Sequence, residues 1–127
     1  MSNVPKSLDH IAPVFRVDSL ERALAWYHDK LGFDVEFNHE NFYASVMRDG
    51  CRIHLQCAPP AGRDQATFER QEHLDACIVV ANAEGLSRSL AAKGAAFSVP
   101  LRKMPYGMEF YVRDPDGYIL GFVQPAS

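Results

Sequence analysis

The sequence lacks several features that would assign it to a common functional class. No apolar run is long enough to cross a membrane, and the N-terminus has no signal-peptide core. There is no Gly-rich phosphate loop and no GxSxG elbow. The three cysteines are odd in number and have no CxxC spacing, which argues against a disulfide framework and favours a reducing cytoplasm. A net charge of −3 makes nucleic acid or an anionic membrane an unexpected main partner.

The composition is that of an ordinary globular protein. Hydrophobic residues make up 47% of the 127 residues and aromatic residues 11%, which is enough for a filled interior. A chain of this length forms one domain, or two small halves that share a core. We therefore treat residues 1–127 as a single domain.

Two hairpin patterns indicate that the chain contains an internal repeat. In residues 110–124, two apolar runs flank Pro115-Asp116-Gly117, where proline fixes φ and glycine accepts turn geometry. Residues 46–56 repeat the pattern around Asp49-Gly50. A strand and a helix precede each hairpin, so the sequence predicts two copies of a βαβββ unit.

The remaining elements follow from periodicity and capping residues. In the first half, Asp18 or Ser19 caps a helix that ends at Gly32; in the second half, a helix ends at Gly94. Strands are predicted at residues 8–17, 35–37, 42–47, 52–57, 74–81, 97–99, 108–112 and 118–124. The first module spans residues 7–57, a polar linker spans 58–73, and the second module spans 74–125.

Two of these motifs resemble a known family. Residues 19–27 followed by Leu31-Gly32-Phe33 resemble the first-helix signature of the vicinal oxygen chelate superfamily, and residues 114–117 resemble its last hairpin. This superfamily includes glyoxalase I, extradiol dioxygenases, and fosfomycin and bleomycin resistance proteins. The resemblance implies an α+β fold in which two βαβββ modules form a cupped mixed sheet, known as the glyoxalase/bleomycin resistance/dihydroxybiphenyl dioxygenase fold. It also implies a cleft that is often completed in a homodimer.

The resemblance also identifies the positions that carry metal ligands in the metal-dependent members. They fall at Ala12, His54, Asp75 and Gly121, two of which have no side-chain donor. No metal or other cofactor is therefore expected. A shift of the alignment by two residues would bring in His10, and the alternative ligand set for a divalent metal ion is then His10, His54 and Asp75.

Alternation along the strands predicts which side chains line the cleft. A two-residue turn at Asp49-Gly50 pairs residues 47 with 52, 45 with 54 and 43 with 56. A four-residue turn at 114–117 pairs Phe110 with Gly121 and Val112 with Ile119; a bulge would instead turn Glu109 and Tyr111 inward. The predicted ligand-binding residues are Tyr43, Ser45, Met47, Arg52, His54, Gln56, Asp75, Phe110, Ile119 and Gly121. Arg52 is expected to pair with a ligand carboxylate or with Asp75 across the cup.

Three functional hypotheses follow. The first is a bleomycin-resistance-like protein that binds a small organic ligand without a metal, with antibiotic resistance by sequestration as the corresponding role. The small net charge disfavours bleomycin itself, a bulky cation. The second is a metal-dependent lyase or dioxygenase, and the third is a dimeric scaffold whose cleft is filled by its own side chains.

Overall fold

A computed structural model describes residues 4–127 as two four-stranded mixed sheets with three helices. The elements are β1 (Val14–Val17), α1 (Leu20–Leu31), β2 (Asp34–His39), β3 (Tyr43–Arg48), β4 (Cys51–Cys57), α2 (Gln65–Arg70), β5 (Ala76–Val79), α3 (Ala83–Ala92), β6 (Ala96–Met104), β7 (Gly107–Arg113) and β8 (Ile119–Pro125). The strand orders are β1-β4-β3-β2 in the first sheet and β5-β8-β7-β6 in the second. The first and last strands of each module pair in parallel. The two predicted βαβββ modules are confirmed.

Local sequence explains where the two long helices begin and end. The Ser19 hydroxyl accepts the Arg22 N–H at the start of α1, and Asn82 accepts the Gly85 N–H at the start of α3. Gly32 ends α1 with a φ of 68°, a left-handed conformation that favours glycine. The buried face of α1 carries Leu20, Ala23, Tyr27 and Leu31 at helical spacing.

Three elements differ most from the prediction, and one of them is β6, which spans Ala96–Met104 where a strand at 97–99 was predicted. Strand β1 begins at Val14, so residues 8–13 lie outside it, and Leu8 and Ile11 are 81% and 91% exposed. Pro13 has no backbone N–H to donate to a neighbouring strand, which limits strand pairing in this segment. The linker, predicted as a plain connector, contains the short helix α2, capped by Asp64.

The two modules share one hydrophobic core. Its buried residues come from both halves, including Phe15 and Tyr27 from the first and Phe110 and Leu120 from the second. Across the boundary, the ring of Phe15 stacks on Tyr118 with centroids 4.2 Å apart. Sharing of the core makes the modules one packed body. No helix in residues 4–127 is both long and apolar enough to span a membrane.

Candidate functional site

The hairpin of β3 and β4 places six of the predicted cleft side chains on one face of the first sheet. Met47 lies opposite Arg52, Ser45 opposite His54, and Tyr43 opposite Gln56, as the two-residue turn predicted. Opposed residues of an antiparallel pair share a face. We call this surface the open face, and it consists of Tyr43, Ser45, Met47, Arg52, His54 and Gln56. The register is confirmed, and ligand binding by these residues stays a prediction.

A β-bulge adds an acidic residue to the open face. Val35 pairs with Val46 and Phe37 pairs with Ser45, so Glu36 is the extra residue between two ladder positions. The bulge lets its carboxylate reach the open face. Sequence reasoning missed Glu36 because no residue pattern in this short strand signals a bulge.

The carboxylate of Glu36 joins two polar side chains of the open face. It accepts a hydrogen bond from Ser45 Oγ at 2.8 Å and one from Arg52 Nε at 2.9 Å. These hydrogen bonds hold the pKa of Glu36 below its usual value, and the one from Ser45 has the larger effect. The expected pairing of Arg52 with Asp75 is therefore wrong, because Arg52 pairs with Glu36 on the same sheet and Asp75 pairs with Arg63.

Aromatic rings lie beside these polar groups. The Tyr43 hydroxyl is 2.8 Å from His54 Nδ1, and the two rings meet edge to face. The ring of Phe37 lies 5.7 Å from that of His54, 6.4 Å from that of Tyr43 and 5.1 Å from that of His39, between centroids. Such a cluster offers flat apolar surface next to hydrogen-bonding groups, which is the combination that small-molecule sites use.

The second sheet has the opposite register to the one predicted. Tyr111 pairs with Gly121, and Phe110 pairs with Phe122. The loop between β7 and β8 runs from 114 to 118, closed by the Asp114 N–H on the Tyr118 carbonyl, and is one residue longer than a four-residue turn. The extra residue reverses the parity. Phe110 therefore faces the core, fully buried against Phe97 and Phe122, and the predicted pairings of Phe110 and Val112 are wrong.

The linker covers the corresponding face of the second sheet. Phe68 and Leu74 pack on Val99, Tyr111 and Ile119 in a small cluster apart from the main core. A Cβ added at Gly121 would lie 2.8 Å from a methyl group of Leu74. Gly121, predicted as a ligand-binding residue, instead faces Leu74, the residue that follows the linker and fills the space beside this glycine.

Charged pairs fix the linker over this covered face. Arg113 Nε donates to Glu69 at 2.7 Å, and this hydrogen bond lowers the pKa of Glu69 to about 2. Arg102 donates to both oxygens of Glu72 at 2.9 and 2.8 Å, and its Nε donates to Glu109 at 2.8 Å. Glu109 is only 1% exposed. The covered face is therefore occupied by the protein's own groups.

Asp75 is engaged in the same way. Arg63 makes a bidentate pair with its two oxygens at 2.8 and 2.9 Å, and the Ile119 N–H donates to one of them at 2.7 Å. The Arg63 guanidinium also lies 3.6 Å from the ring centre of Phe68. Asp75 thus anchors the linker, an arrangement that no local sequence pattern signals.

The residues at the family's metal positions do not fit a metal site. Ala12 and Gly121 have no side-chain atom that could bind a metal. The Asp75 carboxylate is paired with Arg63, and the His54 ring is hydrogen-bonded to the Tyr43 hydroxyl. His10 Nδ1 lies 2.7 Å from Asp9. Within residues 4–127, no three side chains of His, Cys, Asp or Glu are close enough together to hold a metal ion. The alternative set of His10, His54 and Asp75 is accordingly not assembled in this chain.

Comparison with known structures places this geometry among related folds. A bleomycin-binding protein from Streptomyces verticillus, complexed with copper(II)-bleomycin, is 24% identical over 97% of this chain and 100% of its own, with a TM-score of 0.70. The bleomycin resistance determinant of transposon Tn5 is 17% identical over 94% and 100%, with a TM-score of 0.69. A lactoylglutathione lyase from Agrobacterium tumefaciens is 15% identical over 93% and 95%, with a TM-score of 0.68. At these identities the likeness shows the fold.

Sequence comparison adds the family. No curated protein sequence matches the chain. A family model does match, over residues 7–122, and it covers both modules and the linker. The chain therefore belongs to the Glyoxalase/Bleomycin resistance protein/Dioxygenase superfamily.

Proposed function

We propose that this protein binds a small organic ligand on the open face without a metal ion. The observation that carries the proposal is the contrast between the two faces. The linker covers the face of the second sheet, whereas Tyr43, Arg52, His54 and Gln56 remain partly exposed on the first. An aromatic cluster beside a satisfied Glu36–Arg52 pair forms a prepared surface.

The chemistry of the open face indicates the class of ligand. The rings of Phe37, Tyr43 and His54 favour a flat aromatic body. Arg52 and Glu36 neutralise each other, so the ligand needs hydrogen-bonding substituents rather than a strong charge. Structural likeness to a bleomycin-binding protein supports an organic ligand, and sequestration without catalysis is the role that we assign. The three free cysteines are consistent with a reducing cytoplasm.

Replacing His54 with alanine is expected to weaken ligand binding at least tenfold. The change removes one ring of the cluster and the partner of the Tyr43 hydroxyl, and each such loss costs about 1 kcal/mol or more. Calorimetric titration with a panel of neutral planar aromatic compounds measures the effect. His28→Ala is the matched control, since His28 lies on the exposed side of α1. Equal affinities of the two variants would contradict the proposal.

Metal analysis separates this function from the metal-dependent alternative. Protein purified without chelator is expected to contain no stoichiometric Zn, Ni, Mn or Fe. A stoichiometric metal that is lost in His54→Ala would overturn the proposal and favour a lyase or dioxygenase.

We also propose that the protein is a homodimer joined through residues 8–14, which comprise the segment before β1 and the first residue of that strand. Leu8, Ile11 and Val14 are 81%, 91% and 50% exposed, and such a run of exposed apolar residues is typical of an interface. Ile11→Asp is expected to weaken dimerisation at least tenfold, as measured by light scattering across a concentration series. Lys6→Asp, which also introduces a carboxylate and shifts the net charge by two units without removing an apolar side chain, should leave the mass unchanged. A monomeric wild-type protein at micromolar concentration would refute the dimer.

A further inference from the structure

The two modules can be superimposed residue by residue through their parallel ladders. His54 pairs with Val14 in the first sheet, and Gly121 pairs with Cys77 in the second. One residue further along each ladder, Phe15 pairs with Leu55 and Ile78 pairs with Phe122. Ile78 is therefore the counterpart of Phe15. The turn glycines Gly50 and Gly117 precede the hairpin strands at matching positions. Cys51 is therefore the counterpart of Tyr118.

In one half of this repeat, a tyrosine fills the space between the hairpin and the opposite module. The Tyr118 ring stacks on Phe15 at 4.2 Å with an angle of 6° between the planes. Its hydroxyl donates to the Arg16 carbonyl at 2.7 Å and accepts the Arg16 N–H at 2.9 Å. The ring thereby covers an apolar surface, and its hydroxyl satisfies backbone groups at the edge of β1.

In the other half, the matching space is a groove. Cys51 has no ring to place against Ile78, and a groove of about 440 Å³ lies there. Its floor includes Leu31, Phe33 and Phe122, which are 2%, 5% and 2% exposed. We call it the Cys51 groove. None of the open-face residues lines it.

The polar groups around the Cys51 groove also match those around Tyr118. Val79 lines the groove and is the counterpart of Arg16, whose backbone holds the tyrosine hydroxyl. Strand β5, which contains Val79, is an edge strand that pairs only with β8 among the described strands. At the mouth of the groove, Arg48 Nε lies 3.6 Å from Asp49 Oδ2. The opposite charges of these two side chains cancel, so the rim has no net charge. These features suit an uncharged ring with a hydroxyl group.

We infer that the Cys51 groove is a second ligand site, which binds a small neutral phenol in the place that the Tyr118 ring occupies in the other half. The phenol ring packs against Ile78 and the apolar floor, and its hydroxyl bonds to the backbone of β5 near Val79. The groove volume falls within the range of small-molecule sites. The site is independent of the open face, and the inference does not require the proposed function.

The test uses p-cresol, the tyrosine side chain without its backbone, with the full-length protein. Titration followed by amide NMR shifts is expected to show saturable binding with a Kd on the order of 1 mM. The largest shifts should fall at Cys51, Ile78 and Val79. Toluene, which lacks the hydroxyl, should bind at least threefold more weakly. Shifts centred on Tyr43 and His54, or no saturable binding, would overturn the inference.

A pair of variants at one position gives the matched control. Cys51→Tyr places the protein's own ring in the groove and is expected to weaken p-cresol binding at least tenfold, with a thermal midpoint equal to or above that of the wild type. Cys51→Ser keeps the side-chain size and should bind p-cresol within about twofold of the wild type. If Cys51→Tyr does not fold, the wild-type shift map decides alone. Unchanged affinity in a folded Cys51→Tyr protein would refute the site.

Discussion

Replacing Asp114 with alanine is expected to lower the free energy of unfolding by about 3–5 kcal/mol. Asp114 is 4% exposed, and its carboxylate accepts three hydrogen bonds, one of which joins the two modules. One comes from the Tyr27 hydroxyl at 2.8 Å, and two come from the N–H groups of Asp116 and Tyr118 at 2.9 Å. Alanine leaves these buried donors without a partner, at about 1–3 kcal/mol each. Urea unfolding followed by circular dichroism measures the loss.

The control for Asp114→Ala is Asp29→Ala. The Asp29 side chain is 70% exposed and contacts only its neighbour His28 among the interactions described. Its removal should change the free energy of unfolding by less than about 0.5 kcal/mol. A loss below 1 kcal/mol in Asp114→Ala would contradict the role of this carboxylate as the junction between the modules.

The same residue makes stability depend on pH in a defined window. Burial raises the pKa of Asp114 to about 6, whereas an unfolded chain has an aspartate pKa of about 3.9. Between these values the folded protein holds more protons than the unfolded chain, so this group lowers stability as pH rises from about 4 to about 6. Asp114→Asn stays neutral. The stability difference, wild type minus Asp114→Asn, should therefore fall by roughly 2–3 kcal/mol across this window. A flat or rising difference would contradict the shift.

Replacing Arg102 with methionine is expected to destabilise the protein by about 3 kcal/mol. Its guanidinium is the cation beside Glu109, whose carboxylate is 1% exposed and has Tyr106 as its other partner. Methionine keeps most of the side-chain volume but leaves this buried charge unpaired, which typically costs 3–5 kcal/mol. Urea unfolding again gives the value.

Two further variants identify the cause of the Arg102 effect. Arg88→Met removes an exposed pair with Glu84 on α3 and should cost less than about 0.5 kcal/mol. Adding Glu109→Gln to Arg102→Met removes the unpaired charge and should recover at least half of the lost stability. No recovery in the double variant would show that lost packing, and not the buried charge, causes the effect.

The parts of this structure that follow from the sequence are those fixed by local chemistry. Asp49-Gly50 sets a two-residue turn, so the register of β3 and β4 followed directly. Ser19 and Gly32 mark the ends of α1 in the same way. The helix and hairpin signals occur in both halves of the chain. Their order and spacing along the sequence were enough to identify the family.

The parts that did not follow depend on one extra residue or on distant partners. A single residue in the 114–118 loop reversed the faces of β7, and one bulge residue brought Glu36 to the open face. Docking of the linker rests on pairs such as Arg63 with Asp75, which lie in different segments. Polar composition predicted a solvated connector there, because the partners of its charges are known only once the chain is folded.

The small cluster beneath the linker has a consequence for how the molecule fluctuates. Phe68 and Leu74 belong to a cluster separate from the main core, and the linker's remaining attachments are partly exposed ion pairs and hydrogen bonds from Arg63 and Gln65 to the Gly117 carbonyl. Detachment of the linker therefore leaves the main core intact, whereas separation of the modules disrupts it. The linker forms its own unit of sub-global opening, with amide hydrogen exchange faster than that of the sheet below. Each such excursion uncovers the face of the second sheet that carries Tyr111 and Gly121.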